Sequence, residues 1–246
     1  MRTLLASFLL ICMTLPVWAV TPVDWEDLKD PEATRFDDPF AALSLNELRS
    51  LGTVLRLRKQ LGESGVTEEA RPRIEQKLAN EEAKLAVSGV DADALLAQRE
   101  AIGRKRAQAA LAGNPALSGA EIAITGYVIP IIEEDGIART GYLVPEYGMC
   151  SHVPAPDPNQ MIRYRLENDW QADRIYQKVR LTGRIGLTLS RQTINLLDGQ
   201  VEMISAFELE THDVQSLEGS GPDVDARSFR SFVSPRSGAA KPSAAN

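Results

Sequence analysis

Cys150 and His152 stand two residues apart in a stretch stiffened by Pro145, Pro154, Pro156 and Pro158. Thiolate and imidazole are ligands for a soft or borderline cation, and a bent loop can aim both side chains into one hollow. The chain has only one other cysteine, Cys12, and one other histidine, His212. Cys150, His152 and His212 are therefore the candidate metal ligands, with zinc or copper as the cation. Glu146, Met149 and Asp157 are the local supplements. The same thiol could instead act as a nucleophile, which requires a base such as His152 or His212 and a polarising site for an oxyanion. In a third reading Cys150 is a small buried side chain, and His152, Asn159 and Gln160 satisfy the backbone of an ordered loop. Tyr142, Tyr147 and the prolines would then form a stiff surface that loses little entropy on binding a partner. The chain contains no Gly-rich phosphate loop, Gly-x-Ser-x-Gly elbow or His-Glu-x-x-His motif.

The loop needs a frame. From Glu121 the apolar period is two, which predicts strands over Ile122–Ile132, Ala138–Val144, Met161–Glu167, Val179–Leu189 and Val201–Val214. Glu134-Asp135-Gly136 and Asp198-Gly199 mark turns. Gly126, Gly183 and Gly186 lie inside strands, where glycine signals a sharp bend or a close backbone approach. Five strands without βαβ alternation predict a small OB-like β-barrel over 121–215, with an open sandwich as the alternative. The fold class is therefore α+β: a helical segment, 44–112, precedes the barrel. Ser44 with Glu47 is a capping box, Thr67 can cap a second helix near Pro72, and Asp91 can cap a third. The apolar stripes on these helices are thin, so they must pack on each other, on the barrel or on a partner. Residues 20–43 form an irregular lead-in with Trp25 and Leu28 as anchors. Residues 216–246, rich in Ser, Gly, Pro and Ala, are expected to be a disordered tail.

Arg2, the apolar run Leu4–Leu15 and Val17-Trp18-Ala19 read as a signal peptide over 1–19. Its apolar run is too short to span a bilayer, which takes roughly 20 residues. The expected product is periplasmic, exported and not membrane-spanning after cleavage. Its one remaining thiol, Cys150, has no internal disulfide partner. The 27 Lys and Arg against 34 Asp and Glu leave a formal charge of −7. That balance disfavours general binding to nucleic acid, although Lys178, Arg180 and Arg184 with Tyr164 and Tyr176 resemble a basic, aromatic face.

Three stretches resemble a bacterial family of exported proteins of unknown function: Gly126-Tyr-Val-Ile-Pro130, Leu143-Val-Pro145, and the loop Gly148-Met-Cys-Ser-His-Val-Pro-Ala-Pro-Asp-Pro-Asn-Gln160. The likeness covers about residues 121–215, and Asp24–Leu28 is similar to that family's N-terminal anchor. Cys150, His152, Pro154, Pro156, Asn159 and Gln160 match the motif; His212 lies outside it. Members of the family are similar in context to accessory proteins encoded beside ABC-type permeases and ATPases, some in zinc-responsive gene groups. The resemblance implies a non-enzymatic accessory or binding module of an envelope transport system, with metal handling through the Cys-x-His loop as one form of it. Its partner would be an ABC-type permease or another envelope protein. The alternatives are a thiol-dependent enzyme using Cys150 and a structural envelope interaction protein.

Overall fold

The computed structural model describes residues 19–63, 65–150, 153–196 and 199–217. The expected signal peptide up to Trp18 and the tail from Glu218 lie outside them.

The chain is mixed α/β, with three helices followed by the main body of a six-stranded sheet. Helix α1 spans Leu45–Gly62, α2 Arg71–Val87 and α3 Ala92–Leu111. Their starts follow local chemistry. Glu47 N donates to Ser44 Oγ at 3.3 Å and Ser44 N donates back to Glu47 Oε2 at 2.7 Å. Ala94 N donates to Asp91 Oδ1 at 3.0 Å. Each bond satisfies a donor that the first helical turn leaves without an intrahelical acceptor. Leu51 and Val54 of α1, Leu85 of α2 and Leu95 of α3 form a small core of their own. Arg58 of α1 ties the three helices from outside that core, donating to Glu82 of α2 and Asp93 of α3.

The strands are β1 (Thr21–Pro22), β2 (Glu121–Ile131), β3 (Thr140–Val144), β4 (Ile162–Leu166), β5 (Gln177–Leu196) and β6 (Gly199–Ser216). Their order is β1-β2-β3-β4-β6-β5, and β5 also pairs with β2, so five strands ring. The β4–β6 pair is parallel, while every other pair within the ring is antiparallel. The expectation of a clean five-stranded barrel needs correction. A sixth strand, β1, joins from the lead-in by pairing parallel with Ile122 and Ala123. The ring also does not form a clear barrel, because β5 and β6 run on together past it as a long ribbon.

That ribbon creates a second core. All five ring strands contribute to the first, through Ile122, Leu143, Ile162, Val179, Phe207 and their neighbours, so the first core fills the ring. Alternate residues face the other way, and there Ile129, Tyr142 and Val144 cluster with Ile194 and Met203 from the ribbon. The register of β5 on β6 shifts between Leu187 and Ser190, just before the ribbon leaves the ring. Strand β3 is thereby buried on both faces from Gly141 to Val144.

Of the three glycines whose place in a strand signals a bend or an approach, Gly126 and Gly183 sit at close approaches. A Cβ on Gly126 would lie 2.7 Å from Val144 O and 2.9 Å from the Trp25 ring, and one on Gly183 would run into the Glu210 carbonyl. Gly186 is different: its nearest neighbours would be 3.9 Å away, so neither a bend nor an approach requires glycine there.

Candidate functional site

The proline loop leaves β3 at Val144 and returns to β4 through a 3₁₀ turn at Pro158–Gln160. Its root is tied down at several points. Gly148 has φ +81° and Cys150 has φ +71°, a left-handed conformation that a residue with a Cβ seldom adopts. Cys150 N donates to Val153 O at 2.9 Å, and Val153 N donates to Gly148 O at 3.1 Å. The Tyr176 hydroxyl donates to Met149 O at 2.6 Å. Tyr147 fits between two other rings, with centroids 5.2 Å from Tyr176 and 6.0 Å from Tyr127. Lys178 Nζ lies over the Tyr127 ring, 5.8 Å from its centroid.

The left-handed turn at Cys150 carries its side chain into the second core. Only 6% of the residue is exposed, and it clusters with Ile129, Tyr142, Val144, Met161, Tyr176 and Met203. Burial disfavours the thiolate and pushes the thiol up to about 11. At neutral pH burial thus favours the protonated thiol, packed among apolar neighbours. Ser151 and His152 lie outside the described residues.

His212 is placed elsewhere. It is the extra residue of a β6 bulge, between Thr211 opposite Gly183 and Asp213 opposite Thr182. Its Nε2 engages Glu121 Oε1 at the start of β2, whereas the Cys150 cluster draws on Ile129 near the other end of that strand. The structure therefore does not bring Cys150 and His212 together. Among the described residues, no three His, Cys, Asp or Glu side chains gather closely enough to hold a metal ion.

The motif's last two residues build a junction. Asn159 is 2% exposed, and its Nδ2 donates to Ala109 O at 2.7 Å and Ala112 O at 2.9 Å. These are carbonyls at the end of α3, where Ala109 O also accepts from Ala112 N at 3.2 Å and Ala112 O from Asp30 N at 3.3 Å. Gln160 Nε2 donates to Trp25 O at 2.8 Å, and Trp25 Nε1 donates to Thr125 O at 2.8 Å. One dipeptide thus fastens the helices and the lead-in to the ring. Sequence reasoning assigned Asn159 and Gln160 to loop order and missed this reach, for which the chain offers no local signal.

Burial removes some of the rings considered for these two surfaces. Tyr142 is fully buried, so it contributes nothing to a partner surface on the loop. Tyr164 and Tyr176 are also buried and cannot offer ring faces to bases. Among its described residues, the loop exposes Glu146, Val153, Pro154, Ala155 and Asp157. No helix among the described residues is long and apolar enough to cross a membrane.

No curated protein matches the chain. A crystal structure of a DUF3299 family protein from Pseudomonas aeruginosa is similar to it, with 27% identity over 45% of this chain and 69% of that one, at a TM-score of 0.35. The family model of DUF3299, whose description is "protein of unknown function", matches residues 25–216, from the Trp25 anchor through the proline loop to the last residue of β6. The chain belongs to the DUF3299 family.

Proposed function

We propose that the protein is an exported, non-enzymatic binding module of an envelope transport system of the ABC type, and that the loop from Pro145 to Pro158 is its recognition element. The observation that carries this reading is the locked root of the loop. Cys150 is sunk into the second core at a left-handed φ, while Val153 and Pro154 stay exposed. A segment held in one conformation before binding loses less entropy when it binds, which favours recognition. A buried, protonated thiol disfavours the thiol-enzyme alternative. The strand order and the parallel β4–β6 pair support an OB-like reading of the ring, a frame that commonly displays binding loops.

The test is a photo-crosslinking amino acid at Val153, introduced in the native host. The expected adduct is an ABC-type permease or another envelope protein, and none should form from Val87, on the far end of α2. Adducts from Val87 alone would move recognition to the helices and favour a structural interaction protein. The metal-handling form is checked separately, by zinc and copper content after tag-free purification. We expect wild type, Cys150→Ala and His152→Ala to be equal and low; metal lost in both variants would establish the loop as a metal site.

A further inference from the structure

Away from the loop, an open groove of about 430 Å³ runs between α1 and α3. Leu48, Leu51, Leu55, Leu96 and Ile102 line it, and Leu48 remains 39% exposed. Gly52 of α1 and Gly103 of α3 line it too. Both are exposed and lie well inside their helices, where glycine is a poor residue. A Cβ built on either would meet no heavy atom within 4 Å, so no contact within the chain requires these glycines.

The charges on the α3 edge indicate what the groove fits. Arg99, Glu100 and Arg106 line the groove; Glu100 and Arg106 lie three residues either side of Gly103, and Arg99, four before it, would face the neutral Ala107 of a second copy. Glu100 has no ionic partner among the described residues. Arg106 donates through Nε to Asp38 at 2.7 Å and lies over the Phe40 ring, which leaves its terminal nitrogens for another acceptor. When two copies of a helix cross antiparallel on a two-fold axis, positions equally spaced on either side of the crossing meet. A crossing at Gly103 therefore sets Glu100 of each copy beside Arg106 of the other. A partner carrying charge of one sign would face repulsion from one of these residues; a second copy satisfies both.

We propose that this groove is a two-fold interface between copies of this chain, with α3 packed antiparallel on α3 at Gly103 and Leu48 and Leu55 of α1 covered. The proposal is independent of the loop's role. It is tested by sedimentation velocity across a concentration series, on the chain beginning at Val20. The expected species is a dimer. Glu100→Arg and Arg106→Glu should each weaken it at least about tenfold, because each sets like charges together. The double reversal, Glu100→Arg with Arg106→Glu, should restore it. Melting followed by circular dichroism checks that Glu100→Arg is folded. A wild-type monomer at every concentration would overturn the proposal, as would a dimer that neither reversal weakens or that the double variant fails to restore.

Discussion

Cys150 combines the motif's most reactive atom with one of its least accessible environments. Its folded-state value, about 11, lies above the ordinary 9.0 of a thiol, so folding favours the neutral form. The stability this contributes is fully present below pH 9, where folded and unfolded chains are both protonated. It is lost as pH rises toward 11, where only the unfolded chain has ionised. Tyr142 and Tyr164 are raised by burial as well and add to the alkaline loss, so the comparison must be made against Cys150→Ala. We expect the wild type to lose stability to urea relative to that variant between pH 9 and 11. Native protein should also alkylate slowly at pH 7, and fast alkylation there would return the thiol-enzyme reading. The Cys-x-His spacing and the prolines were legible in the sequence. The direction of the sulfur was not, because it depends on a left-handed φ and on a ribbon that closes over it with Ile194 and Met203. Asn159 makes the same point, since the carbonyls it satisfies lie 47 and 50 residues away.

At the scale of elements, capping chemistry and apolar period identified the three helices and five of the six strands. The rest lacked a readable pattern. Strand β1 is two residues long. The outer half of β5, Thr188 to Thr193, has no apolar alternation because it is largely exposed, so the expected end at Leu189 fell short of the observed Leu196. The glycines show how like signals diverge. Gly183 and Gly186 read alike in the sequence, yet only Gly183 presses against the neighbouring backbone, where His212 bulges out of β6. Gly183→Ala should therefore cost about 1–3 kcal/mol through overpacking. Gly186→Ala should stay within about 0.5 kcal/mol, as a substitution with room to spare. Urea midpoints of the two variants decide the matter, and equal effects would contradict the close approach.

For the whole molecule, three cores of unequal size are joined at one seam. The ring core and the ribbon core share β3, so they should unfold together. The helical core is smaller and meets the ring through a compact junction: Asn159 on the end of α3, Gln160 on Trp25, and Phe207 against Gly113. Leu85, 1% exposed, is the buried residue that α2 gives to the helical core, with Leu78 packed against it. Truncating it should cost about 2–5 kcal/mol in that core and little elsewhere. Trp25 and Trp170 both pack against the ring core, so their fluorescence follows the ring, whereas helical circular dichroism follows α1 to α3. In Leu85→Ala, made in the chain beginning at Val20, the dichroism transition should move to lower denaturant while the fluorescence transition stays near its wild-type midpoint. Separation of the two signals would show that the seam transmits little of the ring's stability to the helices. If both midpoints moved together, the Asn159–Trp25 junction would instead couple them into one cooperative unit, and the helices could not respond to a partner without disturbing the ring and its loop.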